Sequence, residues 1–177
     1  MNIIISNIKP EDALGVREVL RDTWIATYPN EELGITKADI ADSYKDLFTE
    51  ESIKQFKERI RNFPDSIQTF VAKDGDRIVG VCRVIIEKDS NELKMLYVHP
   101  EYQGKGIGKA LWEESKKLFN ENNRIFVNVA TYNNQAIKFY EKLGFKDTGK
   151  RFEEEKFRFK NGANIPEMEM VIEAKKL

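Results

Sequence analysis

Three alternating glycines that precede a helical pattern are the first residues whose types and spacing indicate chemistry. Gly104, Gly106 and Gly108 follow a short apolar stretch that ends at a proline. Glycines permit positive φ angles and let the backbone approach a ligand closely. Several N–H groups can then converge on phosphate oxygens at the positive end of a helix. The segment therefore predicts a phosphate-binding loop, to which Lys105 and Lys109 would add positive charge.

The spacing of these glycines excludes two common nucleotide-binding motifs. A dinucleotide fingerprint, G-x-G-x-x-G, would need a third glycine where Lys109 and Leu111 stand, and a Walker A loop would need Ser or Thr after a Gly-Lys pair. The pattern that fits is Gln-x-x-Gly-x-Gly, formed by Gln103, Gly106 and Gly108. A glycine-rich turn without a ligand is the alternative. Because three glycines at a helix start cost conformational entropy, ligand binding is favoured.

With this pattern the sequence resembles the GNAT acetyltransferase superfamily, in which such a strand–loop–helix segment cradles the pyrophosphate of acetyl-CoA. A second segment is similar to the family's other signature, in which Asn and Ala precede Phe-Tyr-x-x-x-Gly-Phe. The resemblance covers about residues 67–145, with both motifs in the expected order and spacing. The residues that match the second signature are Asn133, Ala136, Phe139, Tyr140, Gly144 and Phe145.

The resemblance implies a V-shaped opening between strands 93–98 and 125–130, in which the acetyl-pantetheine arm of acetyl-CoA would lie. The backbone of Leu96 and Val98 would pair with the arm as a missing strand does. Asn133 would bond the pantetheine, and Lys142 would meet a phosphate. The residues expected to hold acetyl-CoA are Leu96, Tyr97, Val98, Gln103, Gly104, Lys105, Gly106, Ile107, Gly108, Lys109, Asn133, Tyr140 and Lys142.

Tyr140 is the predicted general acid. Acetyl transfer needs an amine that loses a proton, a polarised thioester carbonyl and a stabilised leaving thiolate. A phenol with a pKa of about 10 can protonate a thiolate with a pKa of about 8.5 after modest tuning. The backbone N–H of Val98 would hold the carbonyl oxygen. As a core aromatic Tyr140 would only pack, but the family pattern favours the acid.

Glu92 is the predicted general base. Some relatives that acetylate polyamines carry a glutamate on this strand, and the corresponding position here holds Lys94, which shares a strand face with Glu92. A solvated carboxylate at the strand end is the alternative interpretation of Glu92. His99, beside a proline, is interpreted as a loop residue. Cys82, within an apolar strand, is interpreted as a buried structural thiol and not as an acyl carrier.

Trp24 and Tyr28 are the predicted acceptor-binding residues. Their Trp-x-x-Thr-Tyr segment is similar to a branch of GNAT proteins that includes polyamine acetyltransferases, although both rings could simply pack in the core. A mouth lined by carboxylates would attract a polycation such as spermidine or spermine, while charge runs are more often solvated. The acidic residues near this segment or on the last hairpin are Glu31, Glu32, Asp39, Asp42, Glu153, Glu154 and Glu155.

The composition excludes several classes of site and partner. One cysteine and one histidine exclude an internal disulfide and a multi-cysteine or multi-histidine metal site, so no metal is expected. The net charge of −1, with both signs interspersed, gives no reason to expect a nucleic-acid partner. No run approaches roughly 18 apolar residues and the start lacks a signal-peptide pattern, so no membrane partner and a cytoplasmic location are expected. The oligomeric state is open between monomer and homodimer.

Hydrophobic periodicity predicts the elements that must position these residues. The order is a strand, helices, three strands, a helix to about Asn120, a strand, a helix and two strands. Thr36 and Asp39 are predicted to form a capping box, and Gly144 to end a helix. We expect one N-acetyltransferase domain over residues 1–177 with an α/β GNAT fold. Its mixed, mostly antiparallel central sheet would be flanked by helices and splayed between the fourth and fifth strands.

Together these observations predict transfer of acetyl from acetyl-CoA, the cosubstrate, to a small-molecule primary amine, with a polyamine as the leading acceptor. One alternative is acetylation of a protein N-terminus, a lysine or an amino acid. The other is a non-catalytic acyl-CoA-binding sensor module, which loss of Tyr140 would have favoured.

Overall fold

Seven strands and five α-helices form within residues 2–174, the part of the chain that a computed structural model of the protein describes. The predicted domain bounds also include residue 1 and residues 175–177, which lie outside the described residues. The strands are Ile3–Asn7 (β1), Ile67–Asp74 (β2), Arg77–Ile86 (β3), Ser90–Val98 (β4), Arg124–Ala130 (β5), Lys146–Glu153 (β6) and Pro166–Ile172 (β7). The helices are Ala13–Thr27 (α1), Lys37–Tyr44 (α2), Glu50–Arg61 (α3), Ile107–Lys116 (α4) and Asn134–Leu143 (α5).

All seven strands belong to one sheet in the order β1-β2-β3-β4-β5-β7-β6. Neighbouring strands are antiparallel except β4 and β5, which are parallel. Strands β4 and β5 pair only where residues 90–92 meet residues 124–126. Beyond that point β4 stays paired with β3, and β5 with β7, so the two middle strands separate. The expected mixed sheet, splayed between its fourth and fifth strands, is confirmed.

Helices cover both faces of the sheet because its central strands are apolar on both sides. On β2, Phe70 and Ala72 face the core cluster that includes α4 residues, while Val71 faces the cluster that includes α1 and α3 residues. This alternation is what a strand covered on both faces requires. A third cluster joins the end of α1 and α2 to the end of β5 and the segment before β7. That third cluster closes one side of the opening between β4 and β5.

Most helix ends follow the predicted local signals. Thr36 and Asp39 form the expected capping box at α2, and Gly144 ends α5 with a positive φ of 100°. Helix α4 ends at Lys116 and not near Asn120, because the following residues tighten into i to i−3 bonds. Short 3₁₀ turns occur at Pro10–Asp12, Lys45–Phe48, Pro100–Tyr102 and Glu155–Phe157.

Two absences within residues 2–174 bear on membrane and metal partners. No helix there is long and apolar enough to cross a bilayer. Within the same residues, no group of three or more His, Cys, Asp or Glu side chains is placed to hold a metal ion.

Candidate active site

A cavity of about 350 Å³ opens where β4 and β5 separate. It is lined by both strands, the start of α4, one face of α5, the end of α1, the segment after β6 and the start of β7. Lys105 and Lys142 do not line it; the Lys105 ammonium lies over the Tyr102 ring and Lys142 is exposed. The predicted residues that do line it are Trp24, Tyr28, Glu92, Leu96, Tyr97, Val98, Gln103, Gly104, Gly106, Ile107, Gly108, Lys109, Asn133 and Tyr140.

The glycine loop presents an uncapped helix start to the cavity. Gly106 is the N-cap of α4, with a φ of 83° and no side chain to accept the first-turn N–H groups. Gly104 also has a positive φ, 73°. Unsatisfied N–H groups at the positive end of a helix attract phosphate oxygens. The residues present therefore fit the pyrophosphate of acetyl-CoA.

Gly108 differs from the other two loop glycines in its backbone conformation and surroundings. Its φ is not positive, and a Cβ there would lie 3.4 Å from Cδ2 of Leu96 and 3.5 Å from Cζ of Phe139. These distances are ordinary van der Waals contacts, so packing alone does not require glycine at this position. Gly108 also lines the cavity, and its assignment to a ligand stays a prediction.

Local hydrogen bonds hold the loop to the end of β4. The Gln103 side-chain amide donates to the Val98 carbonyl oxygen at 3.1 Å. The His99 N–H donates to the Val79 carbonyl on β3. Because backbone groups of successive strand residues point to opposite sides, those of Leu96 and Val98 point away from β3, toward the opening. The Val98 carbonyl already accepts from Gln103 and from the Thr23 hydroxyl, so the groups left for a ligand on that side are the two N–H groups and the Leu96 carbonyl.

Asn133 caps α5, in contrast to the open start of α4. Its side-chain oxygen accepts from the Ala136 N–H at 3.1 Å. The oxygen is therefore committed to the helix, and the amide NH₂ is the part of the side chain that could donate to a ligand.

Tyr140 lies deep in the cavity wall with only 6% of its surface exposed. Its ring packs edge-on against Phe139 and Phe145, with centroids 5.5 and 5.6 Å away. Among the described residues its hydroxyl has no hydrogen-bond partner. Burial, reinforced by Tyr97 and Cys82, raises the pKa of Tyr140 well above its ordinary value. The expected pKa near 10 is therefore corrected, and the hydroxyl keeps its proton throughout the neutral range.

A second end of the cavity is lined by aromatic rings from residues that are far in sequence from the glycine loop. The Trp24 ring packs against Tyr28 at 4.7 Å, Phe157 at 5.5 Å and Tyr44 at 5.9 Å between centroids. The Tyr28 and Tyr97 hydroxyl oxygens lie 3.5 Å apart. Trp24 and Tyr28 therefore both pack in a core cluster and line the cavity. Aromatic faces of this kind attract cations.

Three glutamates line the cavity, and two of them are paired with lysines. Lys94 donates to the Glu92 carboxylate at 2.9 Å, and Lys156 forms an ion pair with Glu154. Glu167, only 9% exposed, has a buried Oε2 without a hydrogen-bond partner in the described chain. Burial first, and the Glu154 carboxylate second, raise the pKa of Glu167 to about 7, against the opposing effect of the two lysines.

Sequence reasoning missed Glu167. It alternates with methionine along β7, a pattern typical of a strand whose charged face meets solvent. No motif or spacing marks it, because it is buried by segments that are distant in sequence. Only the fold could have found it.

Of the residues named for the acidic mouth, only Glu154 lines the cavity in the described part of the chain. Glu31, Glu32, Asp39 and Asp42 do not line the cavity. Asp39 accepts from Thr36 in the capping box, and Asp42 is bonded to Lys45 and Lys160. From the 153–155 run, Glu154 alone lines the cavity within the described residues.

His99 and Cys82 lie outside the cavity lining. The His99 Nε2 atom is 3.5 Å from an Asp22 carboxylate oxygen and 3.3 Å from an Arg77 nitrogen. Cys82 is fully buried with its sulfur 3.0 Å from the Ser115 hydroxyl oxygen, and burial raises the pKa of its thiol to about 12. Their interpretation as structural residues agrees with these positions.

Known proteins match this chain over most of its length. Residues 27–162 match the family described as acetyltransferase (GNAT) domain. The spermidine N(1)-acetyltransferase of Thermoplasma acidophilum is 31% identical over 152 residues, 82% of this chain and 89% of that protein. The peptidyl-lysine N-acetyltransferase YjaB of Escherichia coli is 28% identical over 121 residues, 68% and 78% of the two chains. The crystal structure of PaiA N-acetyltransferase from Thermoplasma acidophilum in complex with coenzyme A superposes with a TM-score of 0.71 at 25% identity, covering 96% of this chain and 98% of that one.

Proposed function

We propose an acceptor for this chain, which belongs to the GNAT acetyltransferase family and is an acetyl-CoA-dependent N-acetyltransferase. The acceptor is a small primary amine, with a polyamine such as spermidine or spermine as the leading candidate. The observation that carries the proposal is the composition of one cavity end, where aromatic rings and carboxylates occur together. The match to a family described as acetyltransferases argues against a non-catalytic sensor.

The aromatic and acidic end of the cavity has the chemistry that a primary ammonium requires. Trp24, Tyr28 and Phe157 offer ring faces, which attract cations and cover the methylene groups between them. Glu154 and Glu167 line the same end and offer carboxylate oxygens. Such a site would hold an alkylammonium by its charge and by its apolar chain.

Two relatives point to acceptors with this shared chemistry. One is named a spermidine N(1)-acetyltransferase and the other a peptidyl-lysine N-acetyltransferase. Spermidine and a lysine side chain each present a primary ammonium on a methylene chain. The second relative makes a protein lysine the runner-up acceptor, and the higher identity and coverage of the first favour the polyamine.

The glycine-loop end would hold acetyl-CoA, which supplies the acetyl group as an activated thioester. N–H groups of the loop at Gly104 and Gly106 would bind the pyrophosphate, with Lys109 nearby in the lining. The outward backbone groups of Leu96 and Val98 would pair with the pantetheine arm. The remaining residues assigned to this end are Tyr97, Gln103, Lys105, Ile107, Gly108, Asn133, Tyr140 and Lys142, of which Lys105 and Lys142 could reach only the outer phosphates.

Tyr140 would donate a proton to the departing sulfur. Its buried hydroxyl is protonated at neutral pH and is not engaged by another described residue. The same burial that weakens the phenol as an acid also destabilises a thiolate beside it. Proton transfer therefore remains feasible although the pKa of the phenol is raised. The Val98 N–H would stabilise charge on the carbonyl oxygen.

The function is tested by release of the CoA thiol in the presence of purified protein and a panel of polyamines, amino acids and lysine peptides. We expect the highest kcat/KM with spermidine or spermine. If a lysine peptide gave the highest kcat/KM, a protein lysine would be the acceptor in place of the polyamine. No turnover with any amine would contradict the proposal. A cytoplasmic location and a monomer or homodimer remain expectations from the sequence.

A further inference from the structure

Glu167 occupies the acceptor end of the cavity with a buried carboxylate oxygen that no group of the described chain satisfies. We propose that Glu167 is the general base that removes a proton from the acceptor ammonium. This inference rests on the proposed function, because it requires a primary amine in that end of the cavity. It assigns the base to β7 and not to β4, where sequence reasoning placed it at Glu92.

The partners of the three cavity glutamates distinguish their roles. Glu92 is tied to Lys94 and Glu154 to Lys156, so each carboxylate already holds a cation. Among residues 2–174, Glu167 forms an ion pair with no lysine, yet only 9% of its surface is exposed. A buried carboxylate without partners is costly. The ammonium of an acceptor would supply the missing hydrogen bond and the missing positive charge.

The titratable groups around Glu167 come from three parts of the chain. Strand β4 contributes Lys94 and Tyr97, the end of α1 contributes Tyr28, and the segment after β6 contributes Glu154 and Lys156. The two tyrosines stay neutral, since burial raises the pKa of each hydroxyl above its ordinary value. The two lysines oppose the repulsion from Glu154, and the balance leaves a carboxyl that ionises near neutral pH.

This tuning suits removal of a proton from an alkylamine. A free primary amine has a pKa of about 10.4, roughly six units above an ordinary glutamate. At a pKa of about 7 for Glu167 the gap shrinks to roughly three units. Desolvation of the ammonium in the cavity lowers the pKa of the amine and narrows the gap further.

Glu167 and Tyr140 would each transfer one proton in the proposed step. The Glu167 carboxylate takes one proton from the ammonium nitrogen, and the freed lone pair forms the N–C bond to the acetyl carbon. The C–S bond breaks with its electron pair on sulfur, which receives the proton of the Tyr140 hydroxyl. The nitrogen then loses a second proton to solvent, Glu167 returns its proton to solvent, and Tyr140 regains one. One proton is released per amide formed.

Glu167→Gln tests the inference, because it keeps the shape of the side chain and removes the base. With spermidine at saturating acetyl-CoA, we expect kcat near pH 7 to fall by roughly 10²–10⁴, with the acetyl-CoA Kd unchanged. The deficit should shrink about tenfold per pH unit toward pH 10, since solvent then supplies the free amine. A purely structural role would not produce that pH dependence. Glu169→Gln is the matched control, because Glu169 lies on the same strand, pairs with Lys150 and is outside the cavity lining.

The outcomes separate this inference from the function on which it rests. Failure of the wild type to acetylate any amine of the panel contradicts the proposed function. The inference alone is overturned if the wild type acetylates an amine and the kcat of Glu167→Gln is within a few-fold of the wild-type value. It is also overturned if the loss of kcat in Glu167→Gln is the same at every pH. A large, pH-dependent loss in Glu92→Gln but not in Glu167→Gln returns the base to β4. A readout without variants is the wild-type profile of kcat/KM, which should fall below about pH 7, and a flat profile overturns the inference.

Discussion

The two ends of the cavity are built in different ways. The glycine-loop end comes mainly from one continuous stretch, residues 96–109, to which α5 adds Asn133 and Tyr140. Bonds between near neighbours, such as Gln103 to the Val98 carbonyl, hold that stretch. The acceptor end is assembled from the end of α1, β4, the segment after β6 and β7, which are far apart in sequence. Under our proposal the first end would bind its ligand mainly through backbone conformation, and the second through a set of side chains whose properties depend on burial.

The difference implies that the two ends respond to different substitutions. Side-chain changes that keep the shape should lower kcat at the acceptor end and at Tyr140, where the two ends meet. Changes of backbone conformation should weaken acetyl-CoA binding at the loop end. The stability of the fold should respond to charge at the acceptor end, because that is where an unpaired carboxylate is buried.

Tyr140→Phe should have the largest effect. We expect kcat to fall by roughly 10²–10⁴ while acetyl-CoA affinity changes little, because the proton is needed only in the transition state. The wild-type rate should show no alkaline limb from this group up to pH 10, since burial raises the pKa of Tyr140 above that range. Steady-state kinetics against pH, with calorimetry for acetyl-CoA, checks both expectations.

Tyr44→Phe is the control for that substitution. Tyr44 is an equally buried tyrosine that lies outside the cavity lining, so the same deletion of a hydroxyl should leave kcat within a few-fold. If Tyr140→Phe behaved like this control, a water or the substrate would have to protonate the sulfur.

Glu167→Gln should stabilise the folded protein at alkaline pH. The folded-state pKa of about 7 exceeds the ordinary value of 4.5, so folding favours the protonated form. That contribution is complete below about pH 4.5 and is lost as pH rises through about 7. We expect the variant to be more stable by about 3 kcal/mol at pH 8 and unchanged at pH 4. Thermal unfolding should show a Tm higher than that of the wild type by roughly 6–12 °C at pH 8. The same Tm for variant and wild type at pH 8 would contradict the burial of an unpaired charge.

Gly106→Ala should weaken acetyl-CoA binding by about tenfold, because a positive φ strains alanine and moves the N–H groups of the loop. Gly149→Ala is a closely matched control. Both glycines are exposed, have φ angles of 83° and 84°, and would place a Cβ in open space. Both variants should therefore lose similar stability, about 1 kcal/mol. If calorimetry gave both variants the wild-type Kd for acetyl-CoA, the glycine loop would not be the phosphate-binding site.

Salt should have the smallest effect. The sequence suggested an exposed acidic mouth, for which the KM of spermidine would rise steeply with ionic strength. In the structure Glu92 and Glu154 are paired with lysines and Glu167 is buried. At saturating acetyl-CoA we expect the KM of spermidine to rise only about two- to threefold up to roughly 0.5 M salt. A rise of tenfold or more would restore the exposed mouth and blur the distinction between the two ends.

The loop end could be predicted from the sequence because its signals are local. Glycine spacing, the flanking proline and the second motif at Asn133 and Tyr140 each depend on residues that are near neighbours in the chain. The mixed, mostly antiparallel sheet and its splay followed once those motifs indicated the family.

The acceptor end could be predicted only in part. Trp24 and Tyr28 lie on one helical face, so their neighbourhood was visible in the sequence, whereas Glu167 and Phe157 reach the cavity only through the pairing of β7 with β5 and β6. Charge near the mouth was misleading, because Asp39 and Asp42 serve local helix and ion-pair contacts. Burial of a polar residue by distant segments leaves no periodic signal in a single sequence.

A competition assay tests the central claim most directly. Wild-type protein receives acetyl-CoA together with equimolar spermidine and a lysine peptide, and the acetylated products are separated and quantified by mass spectrometry. The account predicts that acetylspermidine dominates, in the ratio of the two kcat/KM values. Dominance of the acetylated peptide, or acetyl-CoA consumed without an acetylated amine, would contradict it.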